Sequence, residues 1–134
     1  MARHIAEAGV APQFVLCSPA RRTLETLERI RPSLQDAEVE VEPELYGGDA
    51  AALLARLRRV PDALGSVMLI GHNPALQDLA LELARAGSAR SEVAAKYPTG
   101  ALIELALPVD SWAAVAEAGG GEIVGFVRPR ELPQ

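Results

Sequence analysis

One cysteine, two histidines and a 4% share of aromatic residues are all that this 134-residue chain offers, and each scarcity removes a class of function. A lone Cys17 excludes an intramolecular disulfide and a cysteine-rich zinc site, and His4 and His72 add too few ligands to suggest a metal. No apolar run approaches the roughly eighteen residues of a membrane span, and no apolar signal-peptide core opens the chain. The expectation is a soluble cytoplasmic protein with no membrane partner and no cofactor. Basic residues are outnumbered 13 to 18, for a net charge of −5. General positive charge therefore does not recruit nucleic acid, although one local basic pocket remains open. What the chain does have is 49% hydrophobic residues, enough for one domain spanning 1–134 with a modest core.

The organising stretch is Val67-Met68-Leu69-Ile70-Gly71-His72-Asn73-Pro74. Four apolar residues stopped by Gly71 read as a buried strand, and Pro74 opens an amphipathic run carrying Leu76, Leu79, Ala80 and Leu83 to about Ala86. His72 then sits at the carboxyl end of a strand, where open α/β sheets bind ligands. Asn73 reads as the helix N-cap and Pro74 as the first helical residue. The same architecture comes earlier: Phe14-Val15-Leu16-Cys17 as strand, Ser18 as N-cap, Pro19 at the first turn, then a helix to Ile30 with Leu24, Leu27 and Ile30 inward. Two helix starts with free amides can lie side by side and favour an anion.

Elsewhere, Met1 to Gly9 has helical spacing and Val39-Glu40-Val41 alternates like a strand partly open to water. Asp49 caps a helix to Arg59 with Leu53, Leu54 and Leu57 on one face. Ala101 to Leu107 and Glu122 to Val127 read as an antiparallel strand pair, joined by a short connection through Trp112.

Arg22 lies in the first turn after Ser18-Pro19, and helical side chains tilt toward the N-terminus, so its planar fork reaches back over the loop. Arg21 points about a hundred degrees away and reads as solvated. The plainer alternatives are that Arg22 pairs with Glu25 or Glu28, that Ser18 and Asn73 only cap helices, and that Thr26 is buried packing. Cys17 to Arg22 is one residue too short for a cysteine-phosphatase loop, and Pro19 deletes an amide that loop would need. Cys17 reads as core.

Phe14 to Thr26, Leu45-Tyr46, Leu69 to Pro74, Lys96-Tyr97-Pro98-Thr99-Gly100-Ala101 and Phe126-Val127-Arg128-Pro129 together resemble, in order and over nearly the whole chain, the SixA-type phosphohistidine phosphatases. These belong to the histidine phosphatase superfamily with the phosphoglycerate mutases. The resemblance implies an α/β fold of three layers, a mostly parallel sheet with helices on both faces. In that family a His in an Arg-His motif at the end of the first strand attacks phosphorus, while a second His in a Gly-His motif and an Arg in Ser-Pro-x-x-Arg hold the phosphoryl group. Motif positions make His72 the second His and Arg22 that Arg, with Ser18 and Asn73 as further phosphate-binding residues and a phosphorylated protein or small phosphoester as substrate. No metal is implied.

The chain departs from the pattern at its start. The first strand should come about forty residues before Phe14, and Arg3-His4 matches the motif in letters only, without an apolar strand before it. The expectation is a first strand missing, with in-frame coding sequence upstream of Met1 that supplies it. Without that central strand, the sheet is expected to expose two inner edges and a slot in the core. The competing expectations are a non-catalytic phosphate-binding or regulatory module, and a plain interaction domain that binds no anion.

Overall fold

The computed structural model describes residues 12–34, 36–84, 93–94, 102–106, 111–115 and 122–127. In chain order the elements are β1 (Phe14–Cys17), α1 (Arg21–Ile30), β2 (Glu38–Val41), α2 (Ala50–Leu57), β3 (Val67–Ile70), α3 (Ala75–Leu83), β4 (Leu102–Ala106) and β5 (Glu122–Val127). Strands β1, β3 and β5 coincide with the expected ones, and β4 falls within the expected Ala101–Leu107 strand, whose two end residues lie outside the described residues. The expected helix over Met1–Gly9, with Arg3 and His4, lies outside the described residues, as do Lys96–Ala101, Arg128 and Pro129.

Strands β2, β1 and β3 form a parallel sheet in that order. Parallel strands need crossover helices, and right-handed crossovers decide the faces. The step from β1 to β2 goes one way across the sheet and the step from β2 to β3 returns the other way, so α1 and α2 fall on opposite faces. The two cores reflect this: Val15, Cys17 and Ile70 pack with Leu27, Ile30 and Leu34 on one face. Phe14 and Leu16 pack with Leu53, Leu54 and Leu57 of α2 and Ala75, Leu79 and Leu83 of α3 on the other. Period-two alternation along β1 thus feeds both layers, and all four of its residues are buried. The result is the expected three-layer arrangement.

The small, divided sheet is consistent with the expected missing strand: among the described residues β3 pairs only with β1 and β4 only with β5, which leaves the outer edge of β3 and one edge of the β4–β5 pair without a partner strand. Phe14 to Cys17 pair in register with Glu38 to Val41 on one side and with Val67 to Ile70 on the other, so both edges of β1 are hydrogen bonded throughout. Strands β4 and β5 pair antiparallel as expected, in a separate two-stranded sheet with a register shift between Glu104 and Leu105.

Residues 111–115 dock on the approach to β3. Asp62 accepts the Ser111 hydroxyl and the Trp112 amide, both at 3.1 Å, and the Trp112 indole N–H donates to the Leu64 carbonyl at 2.6 Å. Arg58 Nε donates to the Val115 carbonyl at 3.0 Å, and the Val115 side chain is fully buried. Among the described residues no helix is long and apolar enough to cross a membrane.

Candidate functional site

The loops after β1 and β3 leave adjacent strands for opposite faces, since α1 packs on one side of the sheet and α3 on the other. Such a topological switch point opens a crevice at the carboxyl ends of the strands. Ser18 and His72 occupy it. The Ser18 N–H donates to the Ile70 carbonyl at 3.0 Å, extending the ladder by one bond. The Ser18 hydroxyl then lies 3.2 Å from His72 Nε2, which joins two residues 54 apart in sequence.

The β1 loop is held by its own polar groups. The Ala20 N–H donates to Ser18 Oγ at 3.3 Å, and the single hydroxyl proton of Thr23 is shared between the carbonyls of Ser18, 2.7 Å from Oγ1, and Ala20, 2.8 Å from it. Ser18 therefore makes a short turn and is not the N-cap: α1 starts at Arg21 with Ala20 as its cap residue, which places Pro19 in the turn ahead of the helix. Thr23 is buried, with Leu27 and Ile30 at the following inward positions, whereas Thr26 is exposed and bonds back to the Arg22 carbonyl. The expectation of a buried Thr26 is corrected accordingly, and Leu24 is only half-buried. The spacing of Thr23, Leu27 and Ile30, four and three residues apart, was the available signal for Thr23.

A one-residue offset also appears at β3. Helix α3 starts at Ala75 with Pro74 as its cap residue and no side-chain cap bond, and the first turn is closed by the Leu76 N–H to the His72 carbonyl at 2.9 Å. Asn73 is exposed beside the half-buried His72 and precedes a cis peptide to Pro74.

Arg22 is exposed on the first turn of α1. Its ordinary partners are taken up elsewhere: Arg21 binds Glu25 at 3.0 Å, and Arg31 binds Glu28 at 3.4 Å. No ion pair among the described residues uses Arg22. His4, the other histidine, lies outside the described residues.

Cys17 is fully buried beneath this loop, with Sγ 3.3 Å from the Ser18 carbonyl and 3.5 Å from that of Thr23. Burial pushes the thiol pKa up, against smaller opposing effects of the Thr23 bond and the Arg31 charge. A buried, protonated thiol is inert. Iodoacetamide at pH about 8 is expected to leave the folded chain unmodified while alkylating the urea-unfolded chain. Rapid alkylation of the folded chain would show that the carboxyl end of β1 opens.

No family model matches the chain. It is 32% identical over 142 aligned positions to the uncharacterized protein Rv1276c of Mycobacterium tuberculosis, covering 96% of this chain and 87% of that one. It is 29% identical over 123 positions to the uncharacterized protein ML1117 of Mycobacterium leprae, covering 90% and 73%. Among solved structures, a chain from Nakamurella multipartitia, provisionally named phosphohistidine phosphatase SixA, superposes with TM-score 0.82 at 27% identity over 96% of this chain and 77% of that one. The protein histidine phosphatase SixA complexed with tungstate superposes with TM-score 0.75 at 27% identity, over 98% and 78%. The chain has the SixA-type histidine phosphatase fold. A chain from Agrobacterium tumefaciens, also provisionally named SixA, shows the same fold with TM-score 0.78 at 20% identity over 96% and 75%. In this SixA-type chain the fold brings Ser18 and His72 into contact, while Arg22 and Asn73 flank them on the two helix starts.

Proposed function

We propose that the crevice formed by Ser18, Arg22, His72 and Asn73 binds a phosphoryl group, and that the reaction it serves is hydrolysis of a phosphohistidine or small phosphomonoester through a phosphohistidine intermediate. The observation that carries this reading is the 3.2 Å contact between Ser18 Oγ and His72 Nε2, which unites the two motif loops at one switch point. It is supported by Arg22 on the first turn of α1, a fork suited to two phosphoryl oxygens. Phosphoryl transfer is catalysed mainly by positioning and by charge around the equatorial oxygens, and an imidazole with a guanidinium supplies both. The tungstate of a solved SixA chain, a tetrahedral oxyanion, agrees with this chemistry.

In this reading His72 is the supporting imidazole and not the nucleophile. The 134 residues by themselves then bind the anion without turning it over.

Calorimetric titration of the chain with phosphate and vanadate tests the site. Arg22→Lys keeps the charge but loses the bidentate fork and should weaken binding roughly tenfold, the scale of a charge-assisted hydrogen bond. His72→Ala should weaken it at least as much. Unchanged affinity in both variants would remove the site assignment. Turnover of p-nitrophenyl phosphate with a labelled phosphoenzyme, abolished by His4→Ala, would overturn the non-catalytic state of the chain and make His4 the nucleophile.

A further inference from the structure

Resting on the reading of His72 as a phosphoryl ligand, we infer that Ser18 is a positioning residue: its hydroxyl donates to His72 Nε2 and holds the neutral ring as the Nδ1–H tautomer, so that Nδ1–H is the donor the ring offers to a bound oxyanion. The inference comes from accounting for every polar atom of a residue with no exposed surface. A hydroxyl has one proton to donate and two lone pairs to accept with. Ser18 Oγ accepts from the Ala20 N–H at 3.3 Å, which uses a lone pair. The Ser18 carbonyl, by contrast, is the acceptor for Thr23 Oγ1 and for Cys17 Sγ. What is left is the hydroxyl proton. Buried, it cannot reach water, and leaving it unbonded would cost the full desolvation penalty. Among the described residues the acceptor within reach is His72 Nε2 at 3.2 Å.

The direction of this bond settles the ring. If Nε2 accepts, the single proton of the neutral imidazole is on Nδ1, and the other nitrogen of a histidine ring fixes the role of the first. A reversed bond, with Nε2–H donating to Ser18 Oγ, would leave the hydroxyl proton without an acceptor. The surrounding turn makes Ser18 a firm reference point, because Thr23 fastens its carbonyl and the β1–β3 ladder fastens its amide. Ser18 thus acts on a ligand through the histidine and not by its own oxygen.

The test is the ring nitrogen shifts of His72 in the uniformly 15N-labelled full chain at pH about 9, above the ordinary imidazole range, assigned by the signals lost in His72→Gln. The wild-type chain is expected to show Nε2 unprotonated and Nδ1 protonated. Ser18→Ala should mix the two tautomers and weaken inorganic phosphate binding roughly tenfold, the scale of one hydrogen bond, whereas Ser18→Thr, which keeps the hydroxyl, should restore the wild-type pattern. A wild-type ring protonated on Nε2 would overturn the inference without any variant, and so would an unchanged tautomer in a folded Ser18→Ala chain. Failure of the phosphate reading would register differently, as absent phosphate binding by the wild-type chain with the tautomer result intact.

Discussion

Arg56→Ala is expected to lower the unfolding free energy by about 3 kcal/mol, the low end for removing one partner of a buried ion pair. The cause lies in how β2 alternates. Glu38 and Glu40 pair in register with Phe14 and Leu16, so β2 turns carboxylates toward the face that α2 covers, while Val39 packs on the other face. Arg56 of α2 answers them from a nearly buried position, with Nε 2.7 Å from Glu42 Oε2 and a terminal nitrogen 3.0 Å from Glu40 Oε2. Its guanidinium also lies 5.9 Å from the centre of the Phe14 ring, within cation–π range. Glu40 is half exposed, so most of the loss is assigned to the better-buried Glu42 partner. Urea unfolding read by circular dichroism checks the value. Arg56→Lys should fall between, and adding Glu40→Gln with Glu42→Gln to Arg56→Ala should recover part of the loss. A cost below about 1 kcal/mol for Arg56→Ala would mean that water already screens the cluster. The exposed pair of Arg59 with Glu44, at 2.6 Å, offers the contrast. Arg59 bonded to Glu44 holds that carboxyl below its usual range, so its small contribution is present above the ordinary carboxylate pKa and fades as pH falls through the lowered value.

Leu16→Ala is expected to cost about 3–4 kcal/mol, within the range for a fully buried leucine. Leu16 has no exposed surface, stands on the strand paired on both sides, and packs in the larger core with Leu53, Leu57 and Leu79. Two ladders and two helices surround the position, so the cavity has little freedom to collapse. The melting temperature should fall by roughly 10 °C. Val39→Ala, on edge strand β2 and only partly buried, should cost less than half as much. Equal losses at both positions would contradict the packing described for β1.

Local patterns in the sequence determined the elements. Phe14–Cys17 and Val67–Ile70 are legible as strands because a run of four apolar residues ended by a turn signal has few other stable placements. Asp49 is legible as a cap because its carboxylate needs only the nearby Ala52 N–H, at 3.0 Å. The three-layer class follows from alternating strands and helices. The motif order pointed to the SixA type, and the superpositions agree. The helix starts were less legible: Ser18 and Asn73 suit capping by composition, yet both helices begin one residue or more later.

Only the tertiary structure decided which distant residues meet. Nothing near Arg56 in sequence announces that it is nearly buried, because its partners are Glu40 on β2 and Glu42 just after that strand, which reach it only through the pairing of this segment with β1. The break in the sheet is likewise a matter of tertiary pairing: among the described residues no strand joins the β4–β5 pair to the sheet in which β3 pairs with β1. The same pairing brings the loop of Ser18 beside the loop of His72 and sends their helices to opposite faces. Spacing along the chain could place each residue at the end of a strand, but a parallel strand order depends on crossover packing over many residues, and the 3.2 Å contact between Ser18 and His72 exists because that packing made β1 and β3 neighbours.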